Sequence, residues 1–309
     1  MNRTADSTRS STRLLHQPMG LLWAYVGLTF ALAWAAWIPA AALFHHAHRP
    51  ALPSVTGGLV VLQTLGAVAP TLAAYLVLRA SGRRDLIGWI GGRYRIWRVH
   101  PGWYLTAGLL TPAITLVSVG VRTLADPQFQ VAPGSPLGEM LGELGMVGVA
   151  LVFPLLILGQ LPSSPLLEEF GWRGLMLPLL QGRWNALASS VVLGVVWGVW
   201  HLPLMVAHGD PIVLCLLLIV PQTVLMTWVV NSAGGSMLLA MLFHAGLNTA
   251  LTTLYPGSWS LVEIVLTWLV AVAVVLWCGP GDLAWRERVQ FPEGGDRHVH
   301  APPAGRTQG

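Results

Sequence analysis

An all-α fold with about eight membrane crossings is what this sequence predicts, and three observations carry the prediction. Hydrophobic side chains make up 54% of the 309 residues and charged ones only 10%, whereas a soluble domain holds roughly 25% charged residues. The apolar residues gather in separate runs near the 20 or so residues that an α-helix needs to cross a bilayer. Arginines collect between those runs, as an inner-leaflet bias requires. The same clustering argues against nucleic acid as the reason for the net charge of +4. All 17 basic residues are arginine, which fits a G+C-rich bacterial genome and has no bearing on the fold.

Taken in order, residues 1–19 form a polar tail with Arg3, Arg9 and Arg13, and the apolar run that follows is too long for a cleaved signal peptide. Spans are predicted near 20–44, 57–78, 102–121, 145–180, 187–207, 212–230, 235–255 and 260–278. Pro162 and Pro165 interrupt the fourth, because proline removes a helix hydrogen bond and clashes with the preceding turn; a kink or two half-helices is expected there. Residues 20–278 then form one membrane-embedded domain. Residues 279–309, rich in Pro, Gly and charge, read as a mostly disordered cytoplasmic tail. Cys215 and Cys278 lie inside apolar runs and read as small hydrophobes rather than as a disulfide.

Ionisable residues inside spans are costly and mark pathways or sites. Three spans contribute them here: Glu168, Glu169 and Arg173; then His201; then His244 with Asn248. Glu169 and Arg173 are four apart and share a helix face in the favourable order for an ion pair, which leaves Glu168 spare, about 100° around the helix. A packing network in which both glutamates share Arg173 is an equal alternative. His201 precedes Pro203, whose ring frees the Val199 carbonyl and opens room for a polar pocket. Taken alone, it is better read as a histidine bonded to a neighbouring helix. His244 and Asn248, also four apart, present two donors side by side, or they are interhelical glue. The joint occurrence of spare acid, histidine by a proline and His/Asn pair favours hydrolysis. Glu263 and His208 sit near span ends, within reach of the interface, and receive no role.

These segments resemble the CAAX prenyl protease and bacteriocin-processing family of intramembrane glutamate proteases. Glu168-Glu169 with Arg173 matches Glu-Glu-x-x-x-Arg, Trp197-x-x-x-His201 matches Phe-x-x-x-His with Trp for Phe, and His244-x-x-x-Asn248 matches His-x-x-x-Asn. The resemblance covers about 145–255. It implies an intramembrane endopeptidase in which Glu168 and His201 activate a water, His244 and Asn248 hold the oxyanion, and Glu169, Arg173 and Trp197 support them. No cofactor is implied. The expected partners are membrane lipids and a peptide or protein substrate reached from within the membrane, and the expected location is the cell membrane, multi-pass, with both termini cytoplasmic.

A zinc hydrolase is the rival enzyme, since two histidines and a glutamate can make a three-ligand site, although His-Glu-x-x-His is absent. A proton-coupled transporter would use the same residues as a relay but has no need of the His/Asn donor pair. A non-catalytic membrane scaffold fits the intact polar set less well.

Between Arg79 and Arg98 six arginines face one acid, Asp85, which places this loop in the cytoplasm with both termini and Arg183. Single cysteines introduced there, in a background lacking Cys215 and Cys278, are expected to resist a membrane-impermeant thiol reagent in intact cells and to react after permeabilisation. Ready labelling from outside would overturn the orientation.

Overall fold

The computed structural model describes residues 18–46, 53–132, 134–254 and 260–292. Among them are twelve α-helices and one π-helical stretch, with no strand: α1 (Pro18–His46), α2 (Pro53–Ala80), α3 (Arg84–Arg93), α4 (Gly102–Ala125), α5 (Pro136–Gln160), α6 (Ser164–Glu169), the π-helix Phe170–Met176, α7 (Leu177–Gln181), α8 (Ala186–Trp200), α9 (Leu202–His208), α10 (Ile212–Ser232), α11 (Met237–Thr253) and α12 (Leu261–Cys278).

The chain is a multi-pass helical membrane protein. Six stretches are long and apolar enough to cross a bilayer, with Pro136–Gln181 counted once, and α8 with α9 makes a seventh if this pair, bent by 50°, is one span. The remaining expected crossing, 235–255, corresponds to α11, which at 17 residues is apolar but short.

Local chemistry explains where helices depart from the expected runs. The loop expected over 122–144 is partly helical, because Ser135 accepts a hydrogen bond from the Gly138 amide and Pro136 occupies the first turn, so α5 starts nine residues before the predicted span. Gly145 then bends α5 with φ 65°, a left-handed value natural to glycine. The expected interruption falls at 161–163, and Pro165 opens α6 rather than breaking it, since its missing N–H lies in the first turn.

α11 is the central element, packed against α4, α5, α6, the π-helix and α10, while α2 covers α6 and the π-helix. Close approach depends on glycine. A Cβ on Gly246 of α11 would lie 2.5 Å from the Gly108 carbonyl of α4, and one on Gly171 would lie 2.5 Å from both the Pro70 carbonyl and the Tyr25 hydroxyl. The helices that carry the candidate residues therefore sit backbone to backbone with their neighbours.

The segment after α12 does not begin as a loose tail. Leu283, Ala284 and Val289 are buried, and the backbone here satisfies polar groups that the helices bury. Asn231 donates to the Gln181 side chain at 2.7 Å and to the Asp282 carbonyl at 2.7 Å, while its oxygen accepts from the Val289 amide at 3.2 Å. Gln181 donates to the Val289 carbonyl at 2.8 Å, and the amides of Ala186 and Leu187 donate to Gly281 and Pro280. Composition misled here because buried amides, more than large apolar side chains, hold the segment. The rest of the expected tail, 293–309, and the N-terminal tail through residue 17 lie outside the described residues.

Asn231→Ala removes a buried junction of four hydrogen bonds and is expected to cost about 2–4 kcal/mol. Thermal unfolding of the purified variant in detergent should show a lowered Tm, together with faster proteolysis at 280–292. An unchanged Tm would show that the segment is not tied down as described.

Candidate active site

Glu168 and Glu169 end α6, and the π-helix follows at once. Both are buried, at 3% and 0% exposed, as are Arg173 at 1% and His244 at 2%. Each carboxylate finds a different kind of partner. Oε1 of Glu169 accepts from Nη1 of Arg173 at 3.1 Å and lies 2.7 Å from Nδ1 of His244, joining the π-helix to α11. Oε2 of Glu168 accepts from the indole N–H groups of Trp172 at 3.3 Å and Trp197 at 3.1 Å. No cation pairs with Glu168 among the described residues, and both indoles bond the same oxygen, which leaves Oε1 with lone pairs for another donor.

The two carboxylates do not share Arg173. The expected Glu169–Arg173 pair is present, and the structure adds His244 to it. Trp197, expected to support the site as an aromatic in a phenylalanine position, donates a hydrogen bond that phenylalanine cannot, and its ring also lies 4.9 Å from the Arg173 guanidinium carbon.

His201 sits at the 50° bend between α8 and α9. Its backbone N–H turns to the Gly198 carbonyl at 3.1 Å, a tighter bond than the regular i→i−4 pattern would give. The Trp197 carbonyl thereby comes free for Nδ1 of the His201 ring at 2.8 Å. The carbonyl that the ring uses is therefore that of Trp197, not the Val199 carbonyl expected from Pro203. The Trp200 carbonyl is likewise taken by the Trp34 indole at 3.0 Å. Because a carbonyl only accepts, Nδ1 of His201 carries the proton, and in the neutral ring Nε2 presents a lone pair.

An aromatic shell that the sequence reading did not single out encloses this centre. Trp200 packs edge-on to His201 at 4.7 Å, Trp37 stacks on it at 5.9 Å, and Trp172 lies between Tyr25 and Trp200. The ring of Trp197 also meets that of His244 at 5.3 Å. One signal was available: Glu168 and Trp172, like Trp197 and His201, are spaced i,i+4 and so share a helix face.

His244 and Asn248 lie on one helix but have separate partners: His244 bonds Glu169, and the Asn248 amide donates to the Ser164 hydroxyl at 2.8 Å. Of the residues given no role, Glu263 lies in the first turn of α12, at the expected span end, and accepts from the Thr115 hydroxyl at 2.6 Å, and His208 lies 3.8 Å from Asp210. Cys215 and Cys278 are both free thiols. Among the described residues no three His, Cys, Asp or Glu side chains are grouped as a metal ion would need.

Comparison with known proteins points one way. A family model described as type II CAAX prenyl endopeptidase, Rce1-like, matches residues 150–250, which include every polar residue of the cluster. A curated relative, CAAX prenyl protease 2 of Methanococcus maripaludis, is 24% identical over 264 residues, spanning 81% of this chain and 91% of the relative.

The two glutamates should respond differently to the same change. Glu169→Gln leaves Arg173 as a buried cation without its counter-charge and is expected to cost about 3–5 kcal/mol. Glu168→Gln keeps a carbonyl oxygen for the two indoles and should unfold close to the wild-type temperature. Thermal melts of both variants in one detergent check this ordering, and a Glu168→Gln protein that is the less stable of the two would reverse the assignment of partners.

Proposed function

We propose, from its similarity to the CAAX prenyl proteases, that this chain is a membrane peptidase of that type and hydrolyses peptide bonds with a water activated by Glu168 and His201. The observation that carries the proposal is that Trp197 holds two open acceptors, its indole N–H bonding Glu168 and its carbonyl bonding His201: Oε1 of Glu168 is left open by two indoles on Oε2, and Nε2 of His201 is left unprotonated by the bond from Nδ1 to the Trp197 carbonyl. A water that donates to both turns a lone pair toward a substrate carbonyl, and its proton passes to Glu168 as the new C–O bond forms. Glu168 then returns that proton to the departing amine.

The oxyanion falls to His244 and Asn248. With Nδ1 bonded to Glu169, His244 can donate from Nε2 only when both ring nitrogens are protonated, and the Glu169 carboxylate supports that charge. The Asn248 amide has two hydrogens, so one can stay on Ser164 while the other reaches the substrate. Glu169 and Arg173 position His244, and Trp197 positions Glu168. The substrate is a peptide or protein segment that enters from the bilayer, and the protein resides in the cell membrane with the arginine-rich face toward the cytoplasm.

Steady-state cleavage of a peptide by purified variants in liposomes tests the roles. Glu168→Gln should lower kcat by about 10²–10⁴-fold with the protein folded, and His201→Ala should be at least as damaging as Asn248→Ala. Asn248→Ala should lower kcat by about 10²–10³-fold with KM near wild type. Normal kcat in Asn248→Ala would reduce the His/Asn pair to a packing contact. Chelators should leave the rate unchanged; inhibition reversed by added zinc would favour a metal-dependent peptidase.

A further inference from the structure

The turn between α10 and α11 brings together two arginines from distant parts of the chain. Nη1 of Arg93 donates to the Gly234 carbonyl at 3.3 Å. Gly234 and Gly235 have φ of 66° and 82°; a Cβ on Gly234 would lie 2.9 Å from Nη1 of Arg286, and one on Gly235 would lie 2.5 Å from Nη2 of Arg93. Two guanidinium groups thus grip one glycine turn from either side. Neither has a carboxylate within ion-pair distance among the described residues; Asp282 is engaged by Arg288 at 3.1 Å. The Nε of Arg93 is buried without a hydrogen-bond acceptor, and its guanidinium lies 4.0 Å over the Trp89 ring. Burial, and then the charge of Arg286, lower the Arg93 pKa to about 10, so an anion at this point is electrostatically favoured.

Two clefts meet here. One, of about 360 Å³, is lined by Arg93, Gly234, Arg286, Arg288 and, as its single acid, Glu287. The other, of about 500 Å³, is walled by Trp103, Trp228, Trp277 and Trp285 and also reaches Arg286. Trp277 and Trp285 stand 62% and 73% exposed, with ring centres 4.5 Å apart. Exposed tryptophans beside arginines at helix ends are the composition of a membrane–water interface. A cationic cleft that opens at a shared arginine into an apolar groove is complementary to a molecule with an anionic head and a hydrocarbon tail.

We propose that Arg93 and Arg286, with the Gly234–Gly235 turn between them, bind the phosphate of an anionic phospholipid whose acyl chain lies in the tryptophan groove. The site is separate from the peptidase centre but continuous with it, since the gripped turn leads directly into α11, which carries His244 and Asn248. Basic pockets between helix ends on the cytoplasmic side recognise anionic headgroups through the same chemistry.

The test is native mass spectrometry of the full-length purified protein titrated with phosphatidylglycerol or phosphatidylcholine. Wild type should retain phosphatidylglycerol at least about five-fold more strongly than phosphatidylcholine, each Lys or Arg contact near a charged surface being worth about 1 kcal/mol, roughly that factor. Arg286→Gln, at an exposed position where folding is not at risk, should abolish the preference. Arg286→Lys should keep most of it, Trp285→Ala should weaken retention of both lipids, and Arg183→Gln, an exposed arginine away from the cleft, should change nothing. Equal retention of the two lipids, or an unchanged preference in Arg286→Gln, overturns the proposal. Millimolar inorganic phosphate that displaces phosphatidylglycerol at equal charge concentration would make the site one for free anions and overturn the assignment to lipid.

Discussion

Two adjacent carboxylates placed among apolar helices impose the constraint on which the rest of this structure depends. Neighbours on a helix point about 100° apart, so Glu168 and Glu169 face different surroundings. The protein answers with two unlike environments. Glu169 receives cationic or ionisable groups, Arg173 from its own chain segment and His244 from α11. Glu168 receives only neutral indole donors, which solvate an oxygen without neutralising it by an ion pair. The π-helix that begins at Phe170 carries both Trp172 and Arg173, and single π turns of this kind recur at functional sites because the widened turn re-aims side chains. Gly171 lets that turn sit against α2 and α1.

The same economy appears at His201. One proline and one tightened turn bend α8 away from α9, and the carbonyl that loses its regular partner becomes the acceptor that fixes the histidine tautomer. A helix break that looks like a packing defect thereby determines which ring nitrogen faces the site. Trp197 links the two acceptors, with its side chain on Glu168 and its backbone carbonyl on His201. Its indole ties two spans together in a way that phenylalanine, the residue expected at this position from the resemblance, cannot.

Much of this was legible because intramembrane charge is so rare that each polar residue stands out. The Glu169–Arg173 pair follows from i,i+4 spacing alone, and the membrane-embedded helical class follows from composition. His244 as a partner of Glu169 was not legible: 75 residues separate them, and periodicity carries no information on which helix packs against which. The aromatic shell was hidden for a different reason. Tryptophan in an apolar span is unremarkable as sequence, and only the packing shows that Trp172 and Trp197 spend their N–H groups on one oxygen. The segment after α12 was misread because its stability resides in main-chain groups, which no side-chain composition reports. Length alone does not mark α11 as a crossing, because 17 residues surrounded by other helices need not match the bilayer thickness as a lipid-facing helix must.

The ties between residues 280–289 and the amides of Gln181 and Asn231 have a consequence for how the molecule is made. Translation delivers Gln181 and Asn231 to the membrane long before Asp282 and Val289 exist. During that interval the ends of α7 and α10 carry polar groups whose eventual acceptors and donors have not been synthesised, and either water or the insertion machinery must occupy them. Assembly of the bundle at this end therefore waits for the last-synthesised of its segments. The last described stretch of chain closes over helices inserted much earlier and displaces whatever held their place.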